Sequence, residues 1–96
     1  MPYAKVIHNK LPTALKAARA ARGLTQEDFG VISSRTYLST LERGIQSPTL
    51  AKIEQLAHTL KMHPLTLLTM AYAESTSSAE IQRVQDLVTR EILELG

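Results

Sequence analysis

The amino-acid sequence predicts an all-α fold, and three observations lead there. Apolar residues recur at spacings of three and four along most of the chain, the repeat of a helix with one buried face. The periodic blocks are divided by residues that stop and start helices: Gly23 and Gly44 after two of them, and Ser, Thr or Pro before others. No pair of segments reads as a sheet. The one strand-like stretch, residues 3–7, has no partner and reads better as an extended arm.

Taken in order, the first helix is expected over residues 12–22. Leu11, Leu15 and Ala18 share a face, and Gly23 is a suitable C-terminal stop. The second starts after Thr25, whose hydroxyl can accept from the backbone N–H near Asp28, while the acid favours the helix N-terminus. It is short, residues 26–31, with Phe29 as its apolar anchor. Ser33-Ser34 interrupts it and offers the next N-cap. The third covers residues 35–43, with Leu38 and Leu41 inward and Gly44 ending it. Ser47 is expected to cap a fourth helix with Pro48 at its first position, where proline is favoured. Leu50, Ile53, Leu56, Ala57 and Leu60 form its apolar stripe. His63-Pro64 starts a short fifth helix carrying Leu65, Leu67, Leu68 and Met70.

Residues 73–78 are small and polar, a hinge or a loop. A separate helix follows over residues 79–95, with Ser77 and Glu80 at capping-box spacing. Ile81, Val84, Val88, Ile92 and Leu95 make one apolar stripe, with Leu87 beside it. The expected organisation is an N-terminal arm at 1–10, a helical domain at 11–72, and a hinge with a C-terminal amphipathic helix at 73–96.

A chain of 96 residues, 44% hydrophobic, can bury one core and suits a single domain. Without cysteine it has no disulfide and no cysteine zinc site, and a cytoplasmic location is the simplest reading. No apolar run suits a signal peptide or a membrane span, so no membrane partner is expected. His8, His58 and His63 lack the neighbouring carboxylates or thiols that would complete a metal site. Ser, His and Asp are present without a nucleophile-elbow sequence, so no enzymatic activity, cofactor or small-molecule substrate is expected.

The net charge of +2 hides an asymmetry. Up to Lys52 there are eight basic residues against three acids, and from Ile53 onward three against six. A basic front on an acidic back suits a polyanion-binding face, although ordinary surface charge would look the same.

Two short helices joined by a tight turn, the second rich in short polar residues, describe a helix-turn-helix, in which the second helix enters the major groove. The residues at that place are specific. Gly23-Leu24-Thr25-Gln26-Glu27-Asp28-Phe29-Gly30 is followed by Arg35-Thr36-Tyr37-Leu38-Ser39-Thr40-Leu41-Glu42-Arg43-Gly44, then by Ser47-Pro48-Thr49-Leu50 and the apolar pattern from Ile53 to Leu68. In this order and spacing the chain resembles the Xre/Cro-type family of phage-repressor-like regulators over residues 15–68. The resemblance implies a five-helix repressor-like helix-turn-helix domain, here with an added C-terminal amphipathic helix. One departure stands out: between Phe29 and Leu38 the chain is two residues shorter than the family pattern and lacks the usual turn glycine. Gly30 matches the small residue that lets the two helices approach.

The resemblance also implies roles. Arg35, Thr36 and Thr40, with Ser39 beside them, match base-contacting positions. Arg35 suits the bidentate contact to guanine O6 and N7, the alternative being a solvated arginine that touches only phosphate. Gln26 matches a phosphate contact, or is a water-exposed helix-start residue. Ser34 is an N-cap, a phosphate contact, or both. Tyr37 either contacts the DNA backbone or packs under its helix. Arg43, Gln46, Ser47 and Thr49 flank another family phosphate site, and Lys16 and Lys52 are rim charges. Arg19 and Glu42 match a partly buried ion pair between the first and third helices, a structural role.

The function implied is sequence-specific binding of double-stranded DNA by a transcriptional regulator, a repressor, acting as a homodimer on an inverted repeat. Ile81, Val84, Leu87, Val88, Ile92 and Leu95 are the expected dimerisation residues, the alternative being that this stripe packs on the domain's own back. Two rival readings are the antitoxin of a toxin–antitoxin pair, with a protein partner, and a domain that kept the fold without DNA binding.

Overall fold

A computed structural model describes residues 9–30, 32 and 34–96. The expected arm at residues 3–7, His8, Val31 and the turn residue Ser33 lie outside the described residues. Within them the chain forms α1 (Leu11–Ala21), a 3₁₀ turn (Gln26–Phe29), α2 (Arg35–Glu42), α3 (Leu50–Thr59), α4 (Pro64–Tyr72) and α5 (Ser78–Leu95), with no strand.

The helix ends follow from backbone hydrogen bonding. After α1, Leu24 N–H donates to the Arg19 carbonyl and Gly23 N–H to that of Ala20, with Gly23 at φ +69°. The same pair of bonds closes α2, where Gly44 sits at φ +74°, a conformation that a side chain would strain. Both are Schellman closures, in which a left-handed residue satisfies the last carbonyls. A third ends α3: Met62 N–H donates to Ala57 and Lys61 N–H to His58, but here the left-handed residue is Lys61, at φ +58°.

Three expectations about the helix ends are corrected. The second helix is a single 3₁₀ turn that ends at Phe29, not an α-helix to residue 31. Thr25 and Asp28 form the capping box, but the chain must be extended by Ser34 to cap α2, which leaves length for one more turn, Ile32 N–H to the Phe29 carbonyl at 3.0 Å, and not for a longer helix. Helix α3 begins at Leu50 under Thr49, whose hydroxyl accepts from Lys52 N–H at 3.1 Å, so neither Ser47 nor Pro48 caps or opens it. Ser77 caps α5 by accepting from Glu80 N–H at 3.2 Å, but the Glu80 carboxylate does not return to Ser77. It accepts from Glu74 N–H at 2.6 Å instead, and Ser77 N–H goes to the Ser75 hydroxyl.

The core collects Leu15, Ala18, Phe29, Leu38, Leu41, Ile53, Leu56, Leu60 and Leu67 from α1 to α4, together with Ala14 and Ala71. Helix α1 packs on α2 and α4, α2 on the 3₁₀ turn, and α4 on both α3 and α5. Two residues expected in the stripes, Leu50 and Leu65, are exposed instead. Each sits at the edge of its helix's apolar arc, where no neighbouring element covers it. Gly30 is exposed, and a Cβ there would meet the carbonyl of Glu27 in its own turn, not a second helix. Lys10, expected within the N-terminal arm, is docked: its N–H donates to the Ala71 carbonyl at 2.6 Å. No described helix is long and apolar enough to cross a membrane.

Candidate nucleic-acid interface

Helix α2 is fixed from beneath. Leu38 and Leu41 lie in the core, and Ser34 caps the first turn by accepting from Tyr37 N–H at 3.0 Å. At about 100° per residue, Arg35, Thr36, Ser39, Thr40 and Arg43 fall within an arc of about 140° on the side away from those leucines. Arg35, Thr36 and Arg43 are exposed, and Ser39 and Thr40 are half-buried. The face therefore has donors and acceptors on short side chains between two guanidinium groups, a pattern that suits base edges in a groove flanked by phosphates. The Thr40 hydroxyl donates to the Tyr37 carbonyl at 2.6 Å. Its oxygen is left to accept, which suits an amino group on adenine or cytosine rather than a carbonyl.

Arg35 opens α2 and reaches across to the 3₁₀ turn, where its Nη1 lies 3.3 Å from Glu27 Oε1, both side chains well exposed. An exposed pair of this kind is weak, worth about 0–1 kcal/mol, so another anion or acceptor can compete for the guanidinium. Arg35 and Glu27 line an open cleft of about 340 Å³ with Arg19, Thr25 and Gln26.

The side chain of Glu42 holds α2 to the rest of the domain. Arg19 Nε donates to its Oε2 at 2.6 Å and Arg19 Nη2 to its Oε1 at 3.1 Å. Gln26 Nε2 donates to Oε1 at 3.0 Å, and Arg19 Nη1 also reaches the Leu24 carbonyl at 3.0 Å. Burial pushes the Glu42 carboxyl up, but the Arg19 and Gln26 hydrogen bonds and the nearby positive charge outweigh it and hold it below the ordinary carboxylate range. The Glu42 hydrogen bond correspondingly raises Arg19. Gln26, expected at a phosphate, is thus tied by its amide to the ion pair at the junction of α1, the 3₁₀ turn and α2.

Tyr37 packs against the core, with the Lys52 ammonium 5.6 Å from its ring centre. Lys52 Nζ also donates to the Ile32 carbonyl, so it braces the connection before α2 rather than lying at a rim. Arg43 Nε lies 3.4 Å from the Ser39 carbonyl, at the C-terminal end of α2. Gln46 and Ser47 are exposed in the following loop, and the exposed Thr49 is the cap of α3. Lys16 is exposed on α1 and close enough to act electrostatically on Glu42.

Sequence reasoning missed the ties made to backbone carbonyls. Arg22 Nε donates to the Leu60 carbonyl at 2.8 Å and its Nη2 to that of Lys61 at 3.3 Å, joining the end of α1 to the end of α3. His63 Nδ1 accepts from Leu65 N–H at 3.0 Å, a cap for α4, while His58 is exposed. Among the described residues no three His, Cys, Asp or Glu side chains converge as metal ligands.

The helix-turn-helix family model matches residues 15–67, more than half of the chain. No curated protein matches it. Among solved structures, the chain is similar to the restriction-modification controller protein C.AhdI from Aeromonas hydrophila. The identity is 33% and the TM-score 0.57, with 68% of this chain and 98% of that one covered. The match runs through the element that presents Arg35, Thr36, Ser39 and Thr40, and the chain belongs to the Xre/Cro-like helix-turn-helix family of DNA-binding transcription regulators.

Proposed function

We propose that the protein is a homodimeric repressor that reads an inverted-repeat operator with α2 of each copy. Arg35, Thr36, Ser39 and Thr40 contact base edges in this reading. Ser34, Arg43, Gln46, Ser47 and Thr49 meet the flanking phosphates, joined by the second amide proton of Gln26, whose other one is held by Glu42, and by the hydroxyl of Tyr37, whose ring packs on the core. A dimer bound across a promoter excludes polymerase by occupancy alone. The likeness to a restriction-modification controller protein supports a small regulator acting at a promoter.

The observation that carries the dimer is α5. None of its residues is buried, yet it is strongly amphipathic over 18 residues. Ile81 and Val84 are half-buried on the side facing α4, while Val88, Ile92 and Leu95 are exposed, Ile92 by 61% and Leu95 by 89%. Leu65 and Tyr72 of α4, also exposed, adjoin Leu87 and Val88 in one apolar groove. An uncovered apolar surface of this extent is characteristic of an interface. In this reading a second copy covers that face, and an inverted repeat then requires the two α2 helices to stand about one DNA turn apart, roughly 34 Å.

The test uses the full chain with Val88→Asp and Ile92→Asp together, both exposed in the single copy. Sedimentation should show a dimer for the wild type and a monomer for the variant. Affinity for a self-selected inverted repeat should fall roughly a hundredfold while binding to one half-site persists. A wild type that sediments as a monomer, or a variant that still dimerises, would overturn this reading.

A further inference from the structure

We infer that Glu80 is a positioning residue that fixes the angle between α5 and the DNA-reading domain and thereby sets the half-site spacing the protein accepts. The inference rests on the dimer reading above and deepens it.

Helix α5 has little apolar anchorage to the domain. None of its residues is buried, and among the described elements its contacts of any extent are with α4. Between α4 and α5 lies a link of small and polar residues, Ala73-Glu74-Ser75-Thr76-Ser77, which by itself gives no fixed direction. Glu80 supplies the direction. Its side chain is only 14% exposed, although it sits in the first turn of an open helix. One carboxylate accepts from Glu74 N–H at 2.6 Å and, at 2.7 and 2.8 Å, from Nε and Nη2 of Arg83.

Glu74 is in turn held from the other side. Its carbonyl accepts from Lys10 Nζ at 3.0 Å, and Lys10 N–H is bonded to Ala71 at the end of α4. A continuous chain of hydrogen bonds therefore runs from the entry of α1, through the end of α4 and the link, to the first turn of α5. Ser77 caps the helix independently of it. The capping keeps α5 helical, while the Glu80 carboxylate decides where the helix points.

In a dimer joined through α5, that direction becomes the separation and rotation of the two α2 helices. One base pair added between half-sites turns one of them by about 34° and shifts it by about 3.4 Å. A rigid elbow cannot follow such a change and a loosened one can.

The experiment compares full-length wild type, Glu80→Gln and Arg83→Met. The probes are duplexes carrying the inverted repeat that the wild type selects from random DNA, with the spacer changed by one and two base pairs, and a single half-site duplex. Helicity and sedimentation are measured alongside. The wild type should lose roughly tenfold or more in affinity for each base pair of spacer change. Both variants should remain helical and dimeric, bind the half-site as the wild type does, and lose less than about threefold per base pair. A merely structural role would weaken all duplexes together and leave the spacing profile intact. An unchanged profile in both variants overturns the inference and leaves the dimer standing. So does loss of dimerisation or helicity in both variants, which would make the pair part of the folding of α5. A monomeric wild type removes the dimer reading, and the inference with it.

Discussion

Removing either partner of the Arg19–Glu42 pair should be costly, and the two losses should differ in a direction set by burial. The Glu42 side chain is 4% exposed and that of Arg19 17%. In Arg19→Ala, Glu42 keeps only the Gln26 amide, so a nearly buried carboxylate is left without its cation. Breaking such a pair costs about 3–5 kcal/mol, and the remaining amide bond places this case near the lower end, about 3–4 kcal/mol. In Glu42→Ala, Arg19 keeps the Leu24 carbonyl and some access to water, so the loss should be smaller, about 2–3 kcal/mol. The double variant has neither stranded charge and should cost about 3–4 kcal/mol, well below the sum of the two, a coupling of about 2–3 kcal/mol. Urea unfolding at neutral pH with a common slope measures all three. Additive losses would refute the pairing. Glu42→Ala costing more than Arg19→Ala would refute the burial argument while leaving the pair intact.

Other outcomes follow from the same geometry. Arg35→Ala should cost about 1–3 kcal/mol on the selected operator and relax preference at one base position, whereas Arg43→Ala should weaken all duplexes alike and flatten the salt dependence. Equal loss on operator and scrambled DNA for Arg35→Ala, measured at two salt concentrations, would assign Arg35 to phosphate. Lys61→Gly should stabilise the fold by about 0.5–1 kcal/mol in a thermal or urea melt, because the left-handed backbone costs a side-chain-bearing residue more than glycine loses in entropy. The Arg83 hydrogen bonds and the Glu74 N–H draw the Glu80 carboxyl from the ordinary 4.5 to about 2, and Glu42 is also lowered. The unfolded chain then binds more protons in acid, so stability should fall as pH drops below about 4.5, for Glu80 down to about 2. Glu80→Gln should make that fall shallower, and an unchanged slope would count against the carboxylate bonds.

The reading helix was legible because its limits are local. Ser34 is a capping residue, Gly44 can turn left-handed, and Leu38 and Leu41 fix the inward face within eight residues. The 3₁₀ turn was not legible as such. Thr25, Asp28 and Phe29 would open an α-helix equally well, and only the length remaining before Ser34 decides against one. The start of α3 was misplaced because Ser47, Pro48 and Thr49 are all acceptable openings, and the choice falls to the hydroxyl that meets a free N–H. Leu50 and Leu65 show the limit of periodicity, which marks an apolar arc without saying which edge of it a neighbour will cover. Arg22 and Lys10 left no sequence signal at all, since they bind backbone carbonyls, which every residue has.

Helix α5 combines both situations. Its spacing of apolar residues specifies a face that some surface should cover, and the expectation was divided between the domain's own back and a second copy. The fold divides the face itself. Ile81 and Val84, near the elbow, are half-buried toward α4, Val88 one turn on lies exposed at the groove edge beside Leu65 and Tyr72, and Ile92 and Leu95 further out are more exposed still. None of these outer residues belongs to the core cluster that supports α2. The core that supports α2 and the outer apolar face of α5 are therefore energetically separable, joined mainly through α4 and the Glu80 elbow. A charge placed at Val88 or Ile92 should change assembly without unfolding the reading head, and a cavity made at Leu38 should do the reverse.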